Sequence, residues 1–290
     1  MKDILKNVYR FVSPRFQTVH LDYRVEVQPR HGHGKAPLEP LYGIINEHRA
    51  EYARLLEKFT AYAPVFAGIR DSKAETDENQ PAWNNAFLPG LDIVALYGII
   101  SEYRPARYVE VGSGNSTKVA RKAVKDQELS TRIWSIDPYP RAQIDHLADE
   151  VIRKPFENTG MADWLIQNLE AGDILFIDNS HRSFPNSDVT VFFMEVLPRL
   201  KPGVIVQVHD MYLPYDYPQF MCDRFYNEQY LLAANIMASP QRYRTLMPNF
   251  FVSEDAALSA ITGPIWEQAG MPVVERHGGS YWLCIGEPQA

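Results

Sequence analysis

Four polar side chains stand at or just after the ends of two apolar runs, and they carry the chemistry that this sequence offers. Asp178 and His181 follow the run ILFI, and His209 and Asp210 follow the run VIVQV. A histidine with a pKa of about 6.5 can act as a general base at neutral pH. A divalent cation held by carboxylates can instead acidify a hydroxyl group that binds to it. The pattern therefore points to proton removal from a hydroxyl group, by either of these two devices.

A parallel sheet is needed to bring these residues together. From Leu91 onward, short runs rich in Val and Ile alternate with amphipathic segments of helix length, which is typical of a parallel sheet covered by helices. The carboxyl ends of such strands open into one crevice, so we expect the four side chains to converge there. The alternative is structural: the aspartates cap turns and the histidines satisfy backbone carbonyls.

The predicted fold is α/β, a Rossmann-like doubly wound sheet of about seven strands with helices on both faces. The last strand is predicted to return antiparallel at the sheet edge. The predicted strands are Tyr108–Val111, Ile133–Ile136, Glu150–Arg153, Ile174–Ile177, Val204–Val208, Thr245–Val252 and Ser280–Ile285. Helices are predicted over about 41–62 and 217–238, and the polar segment 70–81 is predicted to be a linker or surface loop. Residues 1–80 are thus predicted to form a mainly helical extension and residues 81–290 a second domain.

A glycine-rich turn, VGSGNST, lies between the first predicted strand and the next helix. Gly112 and Gly114 allow a sharp turn and close approach to a ligand, while Ser116 or Thr117 can cap the helix. Glu110 stands two residues before this turn. A carboxylate there repels the pyrophosphate of a dinucleotide but attracts a ligand that carries sulfonium and ammonium groups.

A second carboxylate, Asp137, ends the second predicted strand. In this position a carboxylate can accept hydrogen bonds from both hydroxyls of an adenosine ribose. The structural alternative is that Asp137 caps a turn, because Pro138 follows it.

With these motifs, the sequence resembles the class I S-adenosylmethionine-dependent methyltransferases, in the branch whose glycine loop reads E-x-G-S-G-x-S-T. The resemblance covers roughly Leu91 to Ile285. Ser116 stands where many relatives have a third glycine, and Ser is common there in this branch. The resemblance implies S-adenosylmethionine as cofactor. The residues it implies for cofactor binding are Glu110, Gly112, Ser113, Gly114, Ser116, Asp137 and Asp178, with Phe156, Glu157 and Asn158 near the adenine.

The resemblance also implies roles for the residues at the later strand ends. In the metal-dependent branch, which includes catechol O-methyltransferase and macrolide-sugar O-methyltransferases, the metal positions match Asp178, His209 and Asp210. His181 falls where catechol O-methyltransferase has its catalytic lysine, so His181, His209 and Asp210 are the predicted catalytic residues. His209 departs from the carboxylate pattern, because Mg²⁺ prefers oxygen ligands whereas imidazole suits zinc, iron or manganese better.

The predicted function is O-methylation of a small molecule or saccharide, with a histidine base and, as an option, Mg²⁺ or Mn²⁺. Three alternatives stay open: a catalytically silent S-adenosylmethionine-binding regulator or scaffold, a cephalosporin hydroxylase-like relative, and a dinucleotide oxidoreductase, which Glu110 disfavours. The segment 211–230 and the run WNNAF at 83–87 are rich in aromatic residues. These residues either stack on the acceptor or pack on the sheet.

The composition limits the partners and the cellular location that we expect for this protein. The chain of 290 residues has 29 basic and 36 acidic side chains, a net charge of −7, which argues against a nucleic-acid partner. Two cysteines are too few for a disulfide framework. No apolar run reaches the roughly 18 residues of a membrane span, and the start lacks the pattern of a signal peptide. We therefore expect a cytoplasmic protein, for which a homo-oligomer is compatible with the sequence.

Overall fold

The computed structural model describes residues 2–14, 16–140, 143–158 and 160–288. Its centre is a sheet of seven strands in the order β3-β2-β1-β4-β5-β7-β6. The strands are β1 Arg107–Val111, β2 Arg132–Ile136, β3 Glu150–Ile152, β4 Ile174–Ile177, β5 Ile205–Val208, β6 Tyr243–Pro248 and β7 Tyr281–Ile285. The pairs among β1 to β5 are parallel, while β7 is antiparallel to both β5 and β6.

Helices connect and cover these strands. They are α1 Lys2–Val12, α2 Glu39–Glu47, α3 Arg49–Thr60, α4 Ala63–Ala67, α5 Gly90–Tyr103, α6 Asn115–Asp126, α7 Met161–Asn168, α8 Asp188–Val191, α9 Gln219–Cys222, α10 Glu228–Ala238, α11 Asn249–Glu254, α12 Ala256–Ile261 and α13 Gly263–Trp266. Short 3₁₀ turns occupy Asp145–Leu147, Phe156–Asn158 and Leu197–Arg199, and a π-helical turn occupies Phe192–Val196. The predicted α/β class with a Rossmann-like sheet is confirmed.

Two predictions about the last strands are wrong. The sixth strand was predicted to reach Val252 but ends at Pro248, and α11 begins at Asn249. Phe251 and Val252 are therefore buried residues of a helix and not of a strand. A short apolar run has no periodicity that separates a strand from a buried helix. The seventh strand lies between β5 and β6 and not at the edge. Its run YWLCI is apolar throughout, which suits a strand buried on both faces.

Two predicted helices are each divided into two. The predicted helix over 41–62 breaks at His48 into α2 and α3. The one over 217–238 breaks into α9 and α10 across a turn in which Phe225 has φ of 57°. A non-glycine residue in this left-handed conformation cannot continue a right-handed helix.

The N-terminal helices share one hydrophobic core with the sheet. Leu41 of α2 and Phe59 of α3 belong to the same buried cluster as Val109 of β1 and Val206 of β5. Gly98 of α5 permits this packing, because a Cβ atom there would lie 2.3 Å from the ring of Phe59. The division into two domains at residue 80 stays a prediction.

Within the parts of the chain that the structure describes, no helix combines the length and the apolar character required for a membrane crossing.

Candidate functional site

The ends of four parallel strands form one row along the sheet edge. Gly112, Asp137, Asp178 and His209 come directly after β1, β2, β4 and β5. The backbone ladder continues through them, since Gly112 N donates to Ile136 O at 3.0 Å and Asp178 N donates to Val111 O at 2.8 Å. His209 N likewise donates to Ile177 O at 2.8 Å. The row thus places the predicted cofactor and catalytic residues at a single edge.

The glycine turn packs tightly against the end of β4. Gly112 has φ of +83°, and a Cβ atom there would lie 1.8 Å from the carbonyl oxygen of Asp178. Only glycine fits this position, for both conformational and steric reasons. Ser113 N donates to Asp137 Oδ2 at 2.9 Å, and Gly114 N donates to Thr117 Oγ1 at 3.1 Å. These bonds join the turn to the end of β2 and to the first turn of α6.

Glu110 lies beneath the turn, with its side chain 0% exposed. Its carboxylate accepts hydrogen bonds from the hydroxyls of Thr117, Ser116 (3.1 Å) and Tyr108 (3.2 Å). Burial raises the pKa of Glu110 to about 7, although these hydroxyls act in the opposite direction. The structure therefore places this carboxylate as an internal support of the turn, and it does not line the clefts described next.

Three clefts open along the row of strand ends, and Asp178 lines all of them. The glycine cleft, of about 280 Å³, is lined by Phe87, Leu88, Ser113, Gly114, Asn115, Ser116, Lys118, Phe176 and Asp178. The Asp137 cleft, of about 430 Å³, includes Gly112, Asp137, Phe156 and Glu157 in its wall. The histidine cleft, of about 340 Å³, includes Asp178, His181, His209 and Asp210. Asp178 is therefore a lining residue that the three clefts share.

Of the residues predicted to contact the adenosine, three line the Asp137 cleft and one lies outside it. Asp137 lines the Asp137 cleft, but both of its carboxylate oxygens already accept backbone bonds, from Ser113 N and from Tyr139 N at 2.7 Å. Phe156 is buried and Glu157 half-buried in the same wall. Asn158 is exposed and is not part of that wall.

The histidine cleft holds a compact cluster of carboxylates and imidazoles. His181 Nε2 lies 3.3 Å from Asp178 Oδ1 and 3.4 Å from Asp210 Oδ2. His209 Nδ1 lies 3.7 Å from Asp178 Oδ1 and 3.5 Å from Asp210 Oδ1. The structure therefore brings together all four residues that were predicted to converge.

These short distances shift the protonation of the cluster. Burial by itself would lower the pKa of His181, but Asp178, Glu228 and Asp210 together raise it to about 10. The pKa of His209 is also raised well above its usual value, because its carboxylate neighbours outweigh burial. Burial favours a raised pKa for Asp178, yet the two histidines hold it well below its usual value. The carboxylates around the two imidazoles thus favour the protonated form of each.

The predicted metal ligands do not form a metal site as they are placed. In the ranges that the structure describes, no group of three or more His, Cys, Asp and Glu side chains is arranged to hold a metal ion. Both ring nitrogens of His209 are buried without a hydrogen bond and instead face carboxylate oxygens at ion-pair distances. The residues as they are placed therefore do not fit a cation.

Two buried carboxylates that sequence reasoning missed hold the histidines. Asp92 of α5, 1% exposed, accepts bonds from Gly279 N (2.8 Å) and Ser280 N (3.0 Å) and lies 3.4 Å from His209 Nε2. Glu228 of α10, 0% exposed, lies 3.1 Å from His181 Nδ1. Asp92 carries a signal in the sequence, since it is the acidic residue within the apolar run LDIVALYGII. Glu228 carries none, because an acidic residue is ordinary in the first turn of a helix.

Lys118 is a further residue that sequence reasoning missed. It lies in the first turns of α6 and lines the glycine cleft together with Asp178. Within the described residues, its ammonium group has no ion-pair partner. The glycine cleft therefore presents one cationic and one anionic side chain.

The aromatic residues divide between the histidine cleft and the core. Phe87, Tyr212, Phe220 and Tyr226 line the histidine cleft. Trp83, by contrast, is fully buried and packs on Trp266 at a centroid distance of 6.0 Å. Packing in the core thus applies to Trp83, while stacking of the cleft residues on an acceptor stays a prediction.

Comparison with known proteins identifies one region of the chain. A family model described as a methyltransferase domain matches residues 109–211, from β1 to just past β5. That range contains the glycine turn and the cluster residues Asp178, His181, His209 and Asp210. Among curated proteins, none matches the chain.

Solved structures with a similar fold are remote. The MycE methyltransferase from the mycinamycin biosynthetic pathway, in complex with Mg, SAH and mycinamycin VI, is 17% identical with a TM-score of 0.36 over 64% of this chain and 47% of that one. The SAH-bound methyltransferase PaMTH1 of Podospora anserina is 14% identical with a TM-score of 0.41 over 84% and 96%. A putative methyltransferase from Thermobifida fusca YX is 11% identical with a TM-score of 0.34 over 70% and 85%. The chain spans about half the length of MycE.

The buried Glu110 generates a prediction about stability and pH. Its pKa is about 7 in the folded protein and 4.5 without burial, so the folded state holds the proton more tightly. The free energy of unfolding should therefore fall as the pH rises from the lower value to the higher, by up to roughly 3 kcal/mol. Glu110→Gln has no proton to lose and should remove most of this fall, measured by urea unfolding at pH 5 and pH 8.

The exposed Glu57→Gln serves as the control and should follow the wild type at both pH values. If Glu110→Gln differs from the wild type by the same free energy at pH 5 and pH 8, Glu110 does not titrate as a buried acid in this range.

Proposed function

We propose that this chain is a class I S-adenosylmethionine-dependent methyltransferase that methylates a hydroxyl group of a small molecule or saccharide, which the match of a methyltransferase domain over residues 109–211 supports. The family is the one that the glycine loop predicts from the sequence. The acceptor, the reacting atom and the residue roles that follow are parts of the proposal.

One observation carries the proposal: Asp178 forms a common wall of the glycine, Asp137 and histidine clefts. A ligand that extends along the first two clefts ends beside the third, where His181 lies 3.3 Å from Asp178. Donor and acceptor would therefore meet at this carboxylate, which is the alignment that a direct displacement requires.

Residues of the first two clefts suit the parts of S-adenosylmethionine. The Asp137 carboxylate and the ring of Phe156 would hold the adenosine, while Ser113, Gly114 and Ser116 border the methionine part. Lys118 offers an ammonium group to the methionine carboxylate, and Asp178 offers a carboxylate to the cationic centres. When bound, the cofactor supplies a methyl group on a sulfonium, which leaves as a neutral thioether after the transfer.

His181 would accept the proton of the acceptor hydroxyl. Glu228 holds the Nδ1 side of the ring at 3.1 Å, which directs Nε2 toward Asp178 and the histidine cleft. In the free protein the raised pKa keeps this imidazole protonated. A positively charged ligand beside Asp178 offsets the carboxylate that raises this pKa, so the neutral base becomes available once the cleft is filled.

His209 and Asp210 would act as positioning residues. Asp210 lies between the two rings, 3.4 Å from His181 Nε2 and 3.5 Å from His209 Nδ1. Asp92 fixes the far side of His209 from within the core. This arrangement limits the rotation of the base and of Asp178, the shared wall.

A divalent cation at Asp178, His209 and Asp210 is a second form of the proposal, but the side chains as placed do not fit one. We therefore assign no step to a cation. The imidazole nitrogens of His181 and His209 lie at ion-pair distance from these carboxylates.

The base assignment predicts the behaviour of His181→Gln. Loss of a general base typically lowers kcat by about 10²- to 10⁴-fold, while the glycine and Asp137 clefts remain intact. We expect unchanged S-adenosylmethionine affinity by calorimetry and a loss of this size in S-adenosylhomocysteine release across a library of hydroxylated acceptors. His48→Gln, which alters a histidine near the surface between α2 and α3, is the control.

Undiminished turnover of His181→Gln would reject the base assignment. Tight cofactor binding by the wild type without turnover of any acceptor would favour the catalytically silent alternative.

The His181–Glu228 contact predicts a shift in the pH profile. Glu228→Gln removes a negative charge that favours the imidazolium, so the pKa of His181 falls. The acidic limb of kcat/KM should move to lower pH by roughly one unit, together with a lower kcat because the ring is held less well. Glu195→Gln, an exposed acid on the π-helical turn, should leave the profile in place. A lower yield of folded protein with an unmoved profile would mean that Glu228 has a structural role alone.

Chelation tests the second form of the proposal. Exhaustive dialysis against EDTA should change S-adenosylhomocysteine release by less than about twofold, because the described residues form no cation site. A large loss that added Mg²⁺ or Mn²⁺ restores would replace the base-only form with the cation form.

A further inference from the structure

Two arginines flank one aromatic ring at the histidine cleft. Arg224 Cζ lies 4.5 Å from the centroid of the Tyr226 ring, and Arg182 Cζ lies 5.0 Å from it. Both contacts are within the range of a cation–π interaction, which orients a guanidinium group without neutralising it. Tyr226 thus holds two positive charges close together.

Neither guanidinium has an acidic partner among the described residues. Arg182 donates only to backbone carbonyls, to Arg224 O at 2.8 Å and Ser180 O at 3.2 Å. Arg224 is exposed and makes no side-chain hydrogen bond or ion pair within that same part of the chain. Burial and the charge of Arg224 both lower the pKa of Arg182, which marks two like charges held near each other. In a chain with a net charge of −7, this pair is an uncompensated positive site.

The pair lies near the proposed base. Arg224 lines the histidine cleft together with His181 and Tyr226. The centroid of the Tyr226 ring is 4.7 Å from that of the His181 ring and 4.5 Å from Arg224 Cζ. The distance from the His181 ring to the Arg224 guanidinium therefore cannot exceed the sum of these two distances. A single sugar or aromatic ring with one substituent covers such a span.

We propose that the methyl acceptor is an anion, with a carboxylate or phosphate group that binds Arg224 and Arg182 while its hydroxyl reaches His181. This inference rests on the proposed function and adds the substrate class. Guanidinium groups bind both anions through paired, charge-assisted hydrogen bonds. Arg224 can offer such a pair, and Arg182 can add the N–H groups that its two backbone bonds leave over. The acidic residues near His181 repel the anion from that end, so the acceptor binds in one orientation.

Besides Asp178 and Asp210, a third acidic side chain, Glu275, lines the histidine cleft. Its backbone is held by Asn84 and Gly90, since Asn84 Oδ1 accepts from its N–H and Gly90 N donates to its carbonyl. Among the described residues it forms no ion pair with Arg224. The positive pair therefore stays available to a ligand.

The test compares matched acceptor pairs, each with and without an anion: 3,4-dihydroxybenzoate with catechol, glucuronate with glucose, and glucose 6-phosphate with glucose. Binding to the protein saturated with S-adenosylhomocysteine is measured by calorimetry, and methyl transfer by S-adenosylhomocysteine release. We expect at least one anionic member to bind or react about 10- to 100-fold better than its neutral partner. The carboxylate and phosphate pairs tell which anion is preferred.

The variant Arg224→Gln should reduce this anionic-to-neutral ratio toward one, and Arg224→Lys should keep part of it. Arg54→Gln, an exposed arginine on α3, is the matched control and should leave the ratio unchanged. No preference in any pair, or a preference that Arg224→Gln preserves, would overturn the inference. Transfer to neutral acceptors alone leaves the proposed function standing without an anionic substrate. An Arg224-dependent anion preference in binding, without methyl transfer, supports the anion site and argues against the proposed function.

Discussion

The close approach of β1 and β4 at their carboxyl ends is the constraint on which the site depends. At Gly112 the backbone passes so near the carbonyl of Asp178 that no Cβ atom fits between them. This contact brings the glycine turn directly against the residue that the three clefts share. If the two strand ends were farther apart, Asp178 could not form a common wall for the glycine and histidine clefts. The steric requirement at one glycine thus sets the geometry of the whole crevice.

Charge balance is the second organising feature. The two imidazoles of the histidine cleft are surrounded by carboxylates from α5, from the ends of β4 and β5, and from α10. In a buried setting each unpaired charge would be costly, so histidines and carboxylates stabilise one another in the free protein. A ligand that enters with a positive charge of its own changes this balance. The contacts between imidazoles and carboxylates thereby make the proposed base sensitive to the charge of a bound ligand.

Charges of opposite sign lie near His181 and near Tyr226. Carboxylates surround His181, whereas Arg224 and Arg182 both lie against the neighbouring Tyr226 ring. Such a gradient favours an acceptor with distinct ends over a uniformly neutral one.

The sequence by itself determined the parallel sheet, the glycine turn and the set of polar residues at the strand ends. These features follow from local patterns, such as apolar runs of strand length and glycines at a sharp turn, which report on neighbouring residues only. The tertiary structure alone decided that β7 enters between β5 and β6, that Glu110 points under the turn, and that Asp92 and Glu228 hold the histidines. Asp92 and Glu228 come from helices distant in the chain from their partners, and their contacts exist only because packing against the sheet buries both carboxylates beside the imidazoles.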